Sequence, residues 1–126
     1  MRISDSQTNQ ESLASLGAEA VALLCSGSIA ELASRFGYAL AHGRDTEAAI
    51  REDLAACLSE VHAAHLAPSG KESPTVTYFQ PNGSNLVAQV GCDIPTENGN
   101  ILLAELIVTS EGCATFVTLE QLSVGA

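Results

Sequence analysis

Residues 67 to 74, APSGKESP, divide the chain into two parts with different periodicities. Before them apolar side chains recur every three or four positions, the spacing of one helix face; after them they recur every second position, the spacing of a strand. At 126 residues with 46% hydrophobic content the chain suits one domain, residues 1 to 126, and is too short for two ordinary cores. Helices that come first and strands that come second bury their apolar sides most simply by packing the helices on one face of an antiparallel sheet. The expected class is therefore α+β, with about three N-terminal helices on a four-stranded antiparallel meander.

The polar opening MRISDSQTNQE, residues 1 to 11, is expected to fray. Leu13, Leu16, Ala20, Leu23 and Leu24 then form a helical stripe that Ser26-Gly27 breaks. Ser28, with Glu31 three residues on, has the spacing of a capping box for a second helix carrying Ile29, Leu32, Ala33 and Phe36. The third helix is expected from Asp45 to His62, with Leu54, Leu58 and Val61 inward and Glu47 in the first turn, where the helix dipole favours an acid.

Four runs follow with strand composition: TVTYFQ, LVAQVGCDIP, ILLAELIVTS and ATFVTLEQLSV. Asn82-Gly83 and Asn98-Gly99 predict two-residue hairpin turns, since Asn and Gly tolerate positive φ, and Glu111-Gly112 predicts the third. Closing the hairpins on these pairs sets Tyr78 against Val87, Cys92 against Glu105, Leu106 against Val117, and Glu105 also against Thr118. One face then holds Val76, Tyr78, Val87, Gly91, Leu102, Ala104, Leu106, Val108, Val117 and Leu119, interrupted by Gln89, and is expected beneath the helices. The other holds Thr75, Thr77, Phe79, Val90, Cys92, Ile94, Leu103, Glu105, Ile107, Phe116, Thr118 and Glu120. A one-residue slip would exchange the faces, so the assignment depends on the turns.

That second face is too apolar for free solvent. Val90, Leu103, Ile107 and Phe116 cluster on it with Glu105 and Thr118, and these six are the candidate interface residues. Three roles compete for Glu105: a half-exposed carboxylate bonded to Thr118 or water, a specificity point in an interface, and a catalytic acid whose pKa apolar neighbours would raise. The simplest cover for the face is a second copy of the chain about a two-fold axis.

Fifteen acidic residues against five basic ones, a formal charge of −10, oppose binding to nucleic-acid phosphates or anionic membranes; such a surface either serves solubility alone or meets a basic partner. No apolar run approaches the roughly 20 residues of a membrane-spanning helix. Cys25, Cys57, Cys92 and Cys113 lie in apolar runs without CxxC spacing, and no signal-peptide pattern opens the chain, so a reduced cytoplasmic setting with buried thiols is expected. His62 and His65 near the end of the third helix have capping or solvated roles; neither they nor His42 sit in a metal-ligand spacing. No nucleophile elbow, phosphate loop or zinc-protease motif occurs. No catalytic residue, cofactor or metal is assigned.

The order of three helices and a curved meander, with VALLCSGSIAELASRFG at residues 21 to 37 as the helix-turn-helix, resembles the cystatin-like, nuclear-transport-factor-2-like superfamily. That resemblance implies dimerisation through the outer sheet face in many members, and catalysis in a helix–sheet cavity in some, without aligning Tyr38 or Tyr78 with a catalytic tyrosine. The leading expectation is a non-enzymatic protein-binding module, of the kind seen in bacterial immunity or inhibitory proteins. The alternative is a small-molecule enzyme or binder, isomerase- or cyclase-like, using the helix–sheet cavity.

Overall fold

The computed structural model describes residues 1–67, 74–80, 83 and 85–125. Among them are three α-helices, α1 (Gln10–Cys25), α2 (Ile29–Phe36) and α3 (Thr46–Glu60), and five strands, β1 (Arg2–Ile3), β2 (Thr75–Tyr78), β3 (Leu86–Pro95), β4 (Ile101–Glu111) and β5 (Ala114–Val124). The strands form one antiparallel sheet in the order β1-β5-β4-β3-β2. The class is α+β as expected, but the sheet has five strands, not four. The extra strand comes from the opening segment expected to fray: Arg2 and Ile3 pair with Phe116 and Thr115, and the Val117 N–H donates to the Met1 carbonyl at 2.7 Å. The edge of β5 thus gives the first residues backbone partners that their own polarity does not advertise.

Helix starts follow local chemistry. Asn9 accepts from the Ser12 N–H at 2.8 Å to cap α1, and Asp45 accepts from Ala48 at 3.1 Å to cap α3. Ser28 stands at the N-cap of α2, but the expected capping box is absent because its hydroxyl lies 2.9 Å from the Ser26 hydroxyl instead. Helix α3 is two residues shorter than expected at its far end, where His62 takes a left-handed φ of 57° that stops the helix. Its fully buried positions are Ala49, Ile50 and Cys57, while Leu54, Leu58 and Val61 are half-buried against the same core.

Strand register departs from the two-residue turns at each hairpin. Between β3 and β4 the loop has three residues, Glu97, Asn98 and Gly99, closed by the Thr96 N–H on the Asn100 carbonyl at 2.8 Å, with Gly99 at φ 86°. Cys92 therefore faces Ala104 and Gly91 faces Glu105. This shift of one residue moves Val90, Cys92 and Ile94 to the helix side and Gln89, Gly91 and Asp93 to the outer side. Between β4 and β5 the turn is Gly112-Cys113, a shift of two that keeps every side chain on its expected face while changing partners: Leu106 meets Leu119, Val108 meets Val117 and Ile107 meets Thr118. A bulge after Leu119 then places Gln121 opposite Glu105. Tyr78 pairs with Ala88 rather than Val87. Of the expected Asn82-Gly83 turn, Asn82 lies outside the described residues, as do residues 68–73 of the expected loop.

All three helices contribute to one core with the inner face of the sheet, where Leu102, Ala104, Leu106 and Val108 of β4 alternate with half-exposed neighbours. Contact is closest at Gly17 of α1, where a Cβ would stand 2.9 Å from Val90 Cγ1 and 3.0 Å from Cys92 Sγ. Phe36, Leu13, Leu32, Ile50, Leu106 and Leu119 fill the helix–sheet layer, and among the described residues the buried polar side chains are Thr96 and Thr115.

Leu106→Ala is expected to cost about 2–5 kcal/mol in denaturant unfolding, because its side chain is fully enclosed. Thr96→Val, which keeps the shape of the side chain and removes the hydroxyl that accepts from Asn100 N–H at 3.0 Å, is expected to cost about 1–3 kcal/mol. A loss under about 0.5 kcal/mol for either would contradict the core assignment or the loop closure, respectively.

Candidate functional site on the outer face of the sheet

Alternation along the strands arranges the outer face in rows that run across the sheet. Arg2, Phe116 and Thr109 form one row; Thr118, Ile107, Gln89 and Thr77 the next; Gln121, Glu105, Gly91 and Thr75 the third; Ser123, Leu103 and Asp93 the fourth. Leu103, Ile107 and Phe116 are half-buried by their row neighbours and take no part in the core beneath the helices. The structure thus brings together five of the six candidate residues: Leu103, Glu105, Ile107, Phe116 and Thr118. Val90 is not among them; it is fully buried against α1, moved there by the one-residue shift at the Asn98-Gly99 loop.

Glu105 is held at the centre of the third row by neutral donors. Gln121 Nε2 of β5 donates to one carboxylate oxygen at 2.7 Å, and Gln89 Nε2 of β3 donates to the other. Thr118, the expected partner, pairs instead with Ile107. Two glutamines from flanking strands fix the orientation of the carboxylate without neutralising it. Neither glutamine is singled out by the sequence: Gln89 reads as an interruption of the inner face until the register is corrected, and Gln121 reaches Glu105 only through the bulge.

A second polar cluster lies where the segment between α2 and α3 crosses the core. The Tyr38 hydroxyl donates to Asp53 Oδ2 at 2.5 Å, and Arg44 Nη1 donates to Asp53 Oδ1 at 3.1 Å and to Glu52 at 3.0 Å. Arg44 also donates to the carbonyls of Leu40 at 2.7 Å and Ala41 at 2.9 Å. Its guanidinium holds the Asp53 carboxyl below the usual carboxylate range against the opposing effect of burial, with the Tyr38 hydroxyl adding to it. Burial, then the bond to Asp53, pushes the Tyr38 phenol well above the usual tyrosine range. These bonds close the loop onto α3, which is an anchoring role.

Cys57 and Cys92 are buried, and burial, with the Asp93 charge adding, pushes the Cys92 thiol up to about 12. Cys113 departs from the expected burial because it sits in the β4–β5 turn and is exposed. Among the described residues no three His, Cys, Asp or Glu side chains converge as metal ligands, and no helix is long and apolar enough to cross a membrane. Comparison with protein-family models, with curated proteins and with solved structures finds no match.

The depressed Asp53 pKa contributes stability that is present above the ordinary carboxylate range and is lost as pH falls through the folded value. Asp53→Asn is therefore expected to lower stability near neutral pH and to flatten the loss below about pH 4 in a denaturant series. An acid limb as steep as that of the wild type would show that Asp53 is not linked to folding.

Proposed function

We propose that the chain is a non-catalytic protein-binding module that engages a partner protein through the outer face of its sheet. The observation that carries this reading is the composition of that face: Leu103, Ile107 and Phe116 lie half-exposed on the side of the sheet opposite the helix-packed core. Ile107 and Phe116 are diagonal neighbours and Leu103 lies beyond Glu105 on the same strand, so half-exposed apolar side chains are set among polar ones on the central strands, a mixture suited to a protein interface. The order of helices and strands and this face are compatible with the cystatin-like organisation. The alternative of an enzyme with a helix–sheet cavity draws less support, since aliphatic side chains fill the described part of that layer and α1 packs at van der Waals distance on β3.

Charge favours a different protein over a second copy. The register moves Asp93 to the outer face, where it joins Glu105, while Leu119 and Leu122 are both buried and leave Glu120 and Gln121 on the outer side at the bulge. Two copies packed about an axis near Glu105 would oppose these carboxylates, with Arg2 at the β1 edge the cation named in the outer rows, and like charges set against each other across an interface cost several kcal/mol. A basic partner gains from the same charges, and the net charge of −10 steers it in. An inhibitory or immunity-type role, in which a small acidic protein neutralises a basic one, fits this character.

Mass in dilute solution tests the choice. The wild type is expected to be monomeric at high micromolar concentration, and Ile107→Lys to keep its thermal midpoint while abolishing partner capture. A dimer that Ile107→Lys dissociates would replace the partner with a second copy. Partner capture unaffected by Ile107→Lys would overturn the assignment of this face.

A further inference from the structure

Among the described residues of the outer face, the backbone is bare at Gly91. Gly91 stands opposite Thr75 on one side and Glu105 on the other, and a Cβ built on it would have the Thr75 carbonyl oxygen at 4.0 Å and no other atom as near. Paired Cα atoms in an antiparallel ladder lie about 5 Å apart, so a notch free of side chains opens directly beside the stem of Glu105. Gln89 and Asp93, two positions to either side of Gly91, bound it along β3.

Glu105 borders this notch with its charge uncompensated. The ion pairs of the described residues employ Arg35, Arg44 and Arg51 with Glu19, Glu31, Glu47, Glu52 and Asp53, and none of them reaches Glu105. Its two oxygens each accept one amide hydrogen, from Gln121 and Gln89. A carboxylate has about four acceptor positions, so each oxygen retains one. The remaining acceptors of an oriented carboxylate can take the donors of a guanidinium, which also carries the missing charge. Covering this face would seal an unpaired carboxylate away from water at a cost, and a cation arriving with the partner removes that cost.

We infer that the notch over Gly91, beside Glu105, receives a cationic side chain, an arginine in its best-fitting form, carried by the protein segment that docks on this face. The inference rests on the docking reading above and adds to it the chemistry of the partner: one cation flanked by apolar residues that lie on Leu103 and Ile107.

Selection from a displayed library of random peptides on the immobilised protein supplies the probe, and three variants read it. Enriched peptides are expected to carry Arg or Lys between apolar residues, and to lose at least about tenfold in affinity on Glu105→Gln. Gly91→Val, which fills the notch, is expected to cause a similar loss while raising the thermal midpoint, because a β-branched residue suits a strand better than glycine. Exchanging the peptide arginine for neutral citrulline is expected to match the Glu105→Gln loss, with no further loss when the two are combined. Peptides that bind Glu105→Gln and Gly91→Val as they bind wild type, yet fail on Ile107→Lys, would overturn the cation notch and leave the docking face standing. No enrichment, or peptides indifferent to all three variants, would overturn both.

Discussion

The buried hydroxyl of Thr96 decides which side of β3 looks at the helices. It donates to Asn98 Oδ1 at 2.6 Å and accepts from the Asn100 N–H at 3.0 Å, closing a three-residue loop around Glu97, Asn98 and Gly99. The loop is tied to the helical layer from the other side: Asn98 Nδ2 donates to the Val61 and His62 carbonyls at 3.0 and 3.2 Å, and Glu97 accepts from the Ala64 N–H at 2.8 Å. Orphan carbonyls at the end of α3 and the turn of a hairpin satisfy one another. Had the loop closed on two residues, Val90, Cys92 and Ile94 would face outward and Gln89, Gly91 and Asp93 would face the helices. Both the core and the candidate site depend on that single residue of loop length.

The same dependence explains how far the sequence is readable. Helix positions follow from periodicity and caps, and β4 is legible outright because Leu102, Ala104, Leu106 and Val108 alternate with Leu103, Glu105 and Ile107 whatever the turns do. The β4–β5 turn moves by one residue, which shifts the pairing by two and so preserves both faces, and Leu106 and Val117 are buried as expected. The β3 faces are not legible, since Asn98-Gly99 is a strong local signal for a two-residue turn and the tertiary contacts of Thr96 and Asn98 override it. The first strand is likewise hidden, because Arg2 and Ile3 are ordered by the free edge of β5 and not by their own pattern.

Two polar groups of the fold illustrate opposite uses of a carboxylate. Asp53 is met by the Arg44 guanidinium and the Tyr38 hydroxyl, so its charge is matched in joining the segment after α2 to α3. Glu105 is met only by amides, so its direction is fixed and its charge remains available. The first arrangement stabilises; the second presents. With Gly91 left without a side chain next to it, Glu105 lies where charge, apolar neighbours and open space coincide on the outer face.

The assignment of the two sheet faces is tested most directly by methyl NMR with a soluble paramagnetic agent. Leu103 and Ile107 methyl signals should broaden strongly, while those of Val90, Leu102 and Leu106 stay protected beneath the helices. Broadening of Val90 together with protection of the Gln89 side-chain amide would mean that β3 presents its other side, and the site built on Gly91, Gln89 and Glu105 would not exist.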